Sequence, residues 1–479
     1  MTNTRIWGLR FSGERIDRGS LVPATLFPSE ASDRPNERER TQERAEYGHN
    51  GRKTGCNGRG DRNVTGAMRC GKVQANRSWG LKMMRNLKHP ISVLGLPLDS
   101  LTVNGAVEAI EGLILSGGTH QIATANINFW SNSLADPHLH RIIAGCSLVL
   151  PDGMPLVWVS KLLGCPLPER VTGVDLVPRI AELSVRKGYG IFLLGGKGDV
   201  AERAKTLLEL RFPGVRIVGT FAPTEEEMAR LDHSEILDRI HLAKPDILLV
   251  ALGNPKQEKW IWMHRKRLGV PVAMGVGGSF EIIVGDVWRA PRWIQKCGLE
   301  WAMRFVQEPA RLGPRYFRDF MGLGRKLPLT LLAAWMQRPH VGESHVSSVA
   351  TPQAIHVYVH GKLSARSDSA LQEAAAASVA SGVVMVVHLH GVKHITAAGL
   401  GVLLGIRRQV LDAGLTLSLA GMTMRHRFLL HAWCALPLFD EWEATIASGR
   451  AMTENPGNVT KVAVQREQDA LPAQSRARG

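Results

Sequence analysis

SLVLPDGMPLVWVSKLLGCPLPERVTGVD, residues 147–175, decides the architecture of this chain. A short apolar run, Ser147 to Leu150, stops at Pro151-Asp152-Gly153 and hands over to a helix-like pattern from Met154 to Leu163. Strand, turn and helix in that order form the repeating unit of a parallel α/β sheet. Asp152 then stands at the carboxyl end of a strand, where open sheets of this kind hold ligands rather than core. Arg170 follows on the next loop and offers a planar cation to an anionic leaving group. A base and an anion holder facing one crevice point to group transfer. Pro-Asp-Gly is also a common turn with no further role, so the rest of the chain must decide.

Outward from this stretch the same alternation repeats. Strand-like runs at Ile91–Leu94, Gln121–Ala125, Gly190–Leu194, Val215–Thr220, Ile247–Leu252 and Val272–Val276 alternate with amphipathic segments such as Val103–Leu115, Val200–Arg211 and Thr224–Ala243. The pattern predicts a doubly wound, largely parallel, Rossmann-like α/β sheet over residues 88–285. Thr124-Ala125-Asn126 ends one strand with small polar groups suited to a sugar hydroxyl, or to capping a helix. At Gly195-Gly196-Lys197-Gly198-Asp199, glycines before a helix let backbone amides approach phosphate, although the spacing is not that of a P-loop. Gly253-Asn254-Pro255-Lys256-Gln257-Glu258 places a cation, an amide and a carboxylate at one strand end, and a solvated helix start would look the same. Gly275 to Phe280 is a further glycine turn.

Residues 286–337 change character, interleaving Trp288, Arg289, Trp293, Trp301, Arg304, Phe305, Arg311, Arg315, Tyr316 and Arg318. Aromatic rings at headgroup depth and guanidinium groups on phosphate suit a membrane surface or a diphosphate. Leu327–Met336 is apolar but too short to span a bilayer. Residues 338–353, RPHVGESHVSSVATPQ, read as a linker. A smaller α/β pattern follows over 354–450, with strands near 355–359, 383–389 and 415–420 and helices near 367–381 and 399–413. Residues 1–82 and 451–479 have the composition of disordered chain, the first a basic arm or a mis-assigned start.

The formal charge of +16 calls for an anionic partner, and 44% apolar residues are ordinary for a globular protein. The six cysteines form no C-x-x-C pair or zinc spacing and read as free thiols of a reducing compartment. Without a secretory signal or a long apolar run, a cytoplasmic protein attached to the inner membrane face is expected. The basic arm lacks a recognition element, so no nucleic-acid partner is expected.

Residues 88 to about 326 closely resemble the WecG/TagA/CpsF glycosyltransferase family. The resemblance rests on Thr124-Ala125-Asn126, Pro151-Asp152-Gly153-Met154-Pro155, Arg170 with Thr172-Gly173-Val174-Asp175, Phe192 to Gly196, Gly253 to Glu258, Gly275 to Phe280, Arg289-Ala290-Pro291 and Glu300-Trp301. It implies an inverting hexosyltransferase moving a sugar from a UDP-sugar donor to a polyprenyl-diphosphate-linked acceptor in cell-surface polysaccharide synthesis. No cofactor or metal is implied, and no D-x-D triplet occurs. Asp152 would be the base, with Thr124 and Arg170 beside it. Asn126, Gly195, Gly196, Lys256, Gln257, Glu258, Arg289, Arg304, Arg311 and Arg315 would contact substrate. The family's arginine-rich appendage matches Arg289 to Arg318.

Residues 354–450 separately resemble a STAS domain, through Val386-Val387-His388-Leu389 and His394-Ile395-Thr396-Ala397-Ala398-Gly399-Leu400-Gly401. Ala398 occupies the position of that family's phosphorylated serine. The expected role is docking or regulation by a protein partner, as a unit that folds separately and adds nothing to the chemistry. A homo-oligomer is left open. The competing reading is a nucleotide-sugar-binding regulatory or scaffold protein acting through the STAS-like module.

Overall fold

The computed structural model describes residues 89–229, 233–337 and 344–439. The expectations for 1–82 and 451–479 lie outside them. In chain order the elements begin with a hairpin, β1 (Ile91–Val93) and β2 (Leu96–Leu98). There follow α1 (Val103–Ser116), β3 (His120–Ala125), α2 (Ile127–Ala135), α3 (Pro137–Ala144), β4 (Leu148–Pro151), α4 (Met154–Leu162), α5 (Gly173–Lys187), β5 (Gly190–Gly195) and α6 (Val200–Arg211). Next are β6 (Arg216–Phe221), α7 (Glu225–Ala229), α8 (Ser234–Ala243), β7 (Ile247–Ala251), α9 (Lys256–Leu268), β8 (Val272–Gly275) and α10 (Ser279–Ile283). The arginine-rich appendage is α11 (Arg292–Lys296), α12 (Glu300–Gln307) and α13 (Pro309–Met336).

Six parallel strands in the order β4-β3-β8-β7-β5-β6 make the main sheet. Its strands are buried on both faces, which is why runs such as Ile247-Leu248-Leu249-Val250 are continuously apolar rather than alternating. Ile122, Leu148, Leu193, Leu249 and Met274 meet α1, α5, α6 and α10 on one face. Ala123, Val149, Leu194, Leu248 and Ala273 meet α2, α3, α8 and α9 on the other. The chain leaves β4 at one edge and re-enters beyond β8 and β7, so the carboxyl ends of β3, β4, β7 and β8 border the crevice. Ile91–Leu94 does not join this sheet as expected. Leu94 and Gly95 adopt φ of 54° and 82°, folding it back on β2 as an antiparallel hairpin.

The second sheet consists of β9 (Ser344–Ala350), β10 (Ala354–Leu363), β11 (Val384–His388), β12 (Val392–Ile395) and β13 (Leu417–Ala420). With it go α14 (Asp368–Ser381), α15 (Ala397–Asp412) and α16 (Met424–Ala432). Two sequence expectations are corrected here. Residues 344–350, within the expected linker, form an antiparallel edge strand on β10. Backbone hydrogen bonds carry an edge strand, so a polar sequence with only Val346 turned to the core suffices. The smaller module is also not separate: Ala144 and Ala333 belong to its core. The Thr330 hydroxyl donates to the Ala432 carbonyl at 2.9 Å, and Gln337 Oε1 accepts from the Ile395 amide at 3.1 Å.

Candidate active site

Asp152 follows the last residue of β4, as the strand-turn-helix pattern requires. Its amide donates to the Ala125 carbonyl at the end of β3, and the Pro151 carbonyl accepts from the Val171 amide, both at 2.8 Å. The backbone carrying the carboxylate is therefore pinned on two sides. The side chain is half-buried, and it has no hydrogen-bond or ion-pair partner among the described residues. Burial raises its pKa to about 7, against the opposing pull of Arg304 and then Arg170, while Glu300 and Asp175 add to the rise. Such a carboxylate accepts a proton near neutrality, where a general base works best.

Around it runs a ladder of alternating charge. Arg170 Nη1 lies 2.5 Å from Glu300 Oε2. Glu300 Oε1 lies 3.9 Å from Arg289 Nε, and the Arg289 guanidinium bonds the Asp175 carboxylate. Asp175 in turn accepts from the Thr172 hydroxyl at 2.7 Å, and the same hydroxyl caps α5 by accepting from the Asp175 amide. Arg170 and Arg289 are thus each matched by a carboxylate, and they lock the start of α12 onto the loop before α5. Arg304 exerts the larger cationic pull on the Asp152 carboxylate and has no ion-pair partner among the described residues. Arg315 is half-buried with its pKa lowered by burial, 3.9 Å from Asp319 Oδ2. Arg311 is exposed and pairs with Glu308.

A second network lies behind the crevice. The Thr124 hydroxyl donates to the Gly275 carbonyl at 3.1 Å, tying the ends of β3 and β8. Asn126 caps α2, its Oδ1 accepting from the amides of Asn128 and Phe129. Gln257 Oε1 accepts from the amides of Gly253 and Gly277, both at 3.1 Å, so one buried side chain stitches the β7 and β8 loops together. Those two backbone donors fix the amide's orientation, and its Nε2 donates to Glu258 at 2.7 Å.

From Glu258 the bonds run outward, with Asn254 Nδ2 donating to its carboxylate at 2.8 Å and Asn132 Nδ2 to Asn254 Oδ1 at 2.6 Å. Arg318 donates to Asn132 Oδ1 at 3.2 Å and fixes the far end. Burial raises Glu258 to about 7, opposed by the donors on Gln257 and Asn254. Glu258 is buried, and its carboxylate is bonded by two loop side chains. Lys256 is exposed in the first turn of α9, and Gly195 and Gly196 form a positive-φ turn whose Gly196 amide donates to the Ala251 carbonyl at 3.0 Å.

Gln257→Ala leaves two loop amides and a buried carboxylate short of partners. We expect a loss of about 1–3 kcal/mol in a denaturant melt at unchanged slope, with activity falling alongside.

Sequence reasoning missed Glu300 and Asp175 as functional groups, although both sit in matched motifs. It missed the network of Asn132, Asn254 and Arg318, because its members come from three distant segments. No group of three or more His, Cys, Asp or Glu among the described residues is arranged to hold a metal.

Residues 91–338 match the sequence profile of the Glycosyl transferase WecG/TagA/CpsF family, and residues 346–433 match that of the Mlab STAS domain. An N-acetylglucosaminyldiphosphoundecaprenol N-acetyl-beta-D-mannosaminyltransferase of Bacillus spizizenii is 34% identical over 190 residues, covering 40% of this chain and 72% of the relative. A protein of the same name from Staphylococcus aureus strain MW2 is 30% identical over 225 residues, 47% of this chain and 87% of the relative.

Proposed function

The chain belongs to the WecG/TagA/CpsF glycosyltransferase family, and from that premise we propose that it is an inverting enzyme moving a sugar from a UDP-sugar to a polyprenyl-diphosphate-linked acceptor. The observation that carries the reading is Asp152, a carboxylate just past the end of β4 with no bonded partner among the described residues, whose pKa burial raises to about 7 against the pull of Arg304. In an in-line displacement Asp152 Oδ takes the proton of the acceptor hydroxyl as that oxygen bonds the anomeric carbon. The bond from that carbon to the donor diphosphate breaks, and its electron pair leaves with the diphosphate. Arg304 and Arg315 supply cations to the departing oxygens. Arg170 and Arg289, neutralised by Glu300 and Asp175, hold the walls. The relatives' name makes N-acetylglucosaminyl-diphosphate-lipid the first acceptor to try and N-acetylmannosamine the first sugar. Incubating the full chain with a panel of UDP-sugars and a short-chain lipid-diphosphate N-acetylglucosamine tests this; no transfer from any of them refutes it.

A lipid-linked acceptor calls for an enzyme that works at a membrane surface. No helix among the described residues is long and apolar enough to cross one. Trp288 just before the appendage and Trp293, Phe317 and Trp335 within it are 65–71% exposed, and the same segment exposes Arg311, Arg318 and Arg325. Aromatics with arginines suit an interfacial site on anionic lipid. Sedimentation with anionic liposomes should be strong at low salt and weaken as salt rises. Combining Trp288→Ser, Trp293→Ser and Phe317→Ser should cut it about tenfold or more, given the apolar area each ring buries. Undiminished binding would move the membrane site to the basic residues before position 83.

A further inference from the structure

The sheet's outer edge is where the STAS module meets the transferase domain. β4 is the terminal strand of the six, so the side away from β3 has no strand partner. An open edge leaves backbone groups to be satisfied by something else. Asp99, just after β2, does this for Val149: its amide donates to the Val149 carbonyl at 2.9 Å, and its Oδ2 accepts from the Val149 amide at 2.7 Å. Val149 is three residues before Asp152.

Asp99 is itself held from the STAS module. Arg408 of α15 donates through Nη1 to both Asp99 carboxylate oxygens at 3.2 Å and to the Ser147 carbonyl at 3.0 Å, and through Nη2 to the Pro97 carbonyl at 3.4 Å. The pair is buried, with side chains 10% and 6% exposed. Arg408 can reach this far because α15 lies against the transferase backbone. A Cβ at Gly401 would stand 2.0 Å from the Pro90 carbonyl oxygen, and one at Gly405 2.4 Å from His89 Nδ1. Gly401, Gly405 and Arg408 are spaced along one helical face, two contacts of bare backbone followed by a guanidinium.

We propose that the STAS module is a cis-docked buttress of the transferase sheet and that its Arg408 is a positioning residue for sugar transfer, holding β4 and thereby Asp152 in place through Asp99. The guanidinium fork is suited to this because its rigidly spread donors span a carboxylate and two carbonyls at once, whereas a lysine offers its donors from a single point. Displacement of a catalytic group by about 1 Å costs up to about a hundredfold in rate. The cost falls on turnover, because Arg408 bonds Asp99 and the backbone at Ser147 and Pro97 and none of the donor-facing arginines.

The inference rests on the proposed transfer reaction, and the test separates the two. Full-length Arg408→Met is compared with wild type for kcat, donor KM and amide exchange at Val149 and Leu150. We expect kcat to fall about tenfold or more, donor KM to stay within about twofold, and the Val149 amide to exchange faster. Arg408→Lys, which keeps charge but not the fork, should show smaller changes in the same direction, and it carries the test if the Met variant does not fold. A folded variant with wild-type kcat and wild-type exchange at Val149 overturns the role, as does a change confined to KM. The exchange measurement needs no turnover, so failure of the wild type to transfer sugar strikes the proposed reaction and leaves the positioning result readable.

Discussion

Asp152→Asn lowers turnover by about a hundredfold or more while leaving donor affinity nearly unchanged, the usual span for loss of a general base being about 10² to 10⁴. The carboxylate has no other partner among the described residues, so removing its charge breaks no bond within the protein. The wild-type rate should rise with pH and level off above about 7, because the base works only when ionised and burial holds its pKa there. Glu258 also titrates near 7, so the assignment rests on the variant: Asp152→Asn should flatten this limb, and Glu258→Gln should not. The stability effect has the opposite sign. A folded pKa above the ordinary carboxylate value means that the native state keeps a proton the unfolded chain has lost. Stability then falls as pH rises from about 4 to about 7, and the Asn variant should melt no lower than wild type at pH 8. An Asn variant with the full rate across this range would exclude Asp152 as the base.

A chain ending at Gln337, without the STAS module, should melt about 10 °C lower or fail to melt cooperatively, and transfer sugar at under about a tenth of the full rate. Truncation strips Arg408 from a buried carboxylate, and breaking such a pair costs about 3–5 kcal/mol. It also uncovers the hairpin of β1 and β2, on which α15 lies, and the buried faces of Thr330 and Ala333. That is a large share of the roughly 5–15 kcal/mol that holds a domain together. A thermal scan and a transfer assay check it. A truncated chain with a wild-type transition and full rate would restore the independent module that the polar stretch at 338–353 suggests.

The difference between those two expectations shows how sequence and structure divide the information. Local patterning determined the alternation of strands and helices, the placement of Asp152 at a strand end and the extent of the arginine-rich appendage. These depend on neighbours within a few residues, through periodicity and turn chemistry. The ordered motifs from Thr124 to Trp301 were equally legible, and they carried the family and the proposed base together.

Partnership among distant residues was decided only by the tertiary structure. Nothing local distinguishes Arg170, tied to Glu300 130 positions away, from Arg304, which exerts the larger cationic pull on the Asp152 carboxylate. Asn126 reads alike as a sugar ligand or a helix cap, and its oxygen is spent on the cap. Arg408 looks like any helical arginine until Gly401 and Gly405 bring α15 onto the Pro90 backbone and the His89 ring. A polar sequence such as 344–350 satisfies its backbone as well in an edge strand as in water, so composition could not separate strand from linker. Charge pairing and close approach depend on distances set by the whole fold, whereas periodicity is written into each segment.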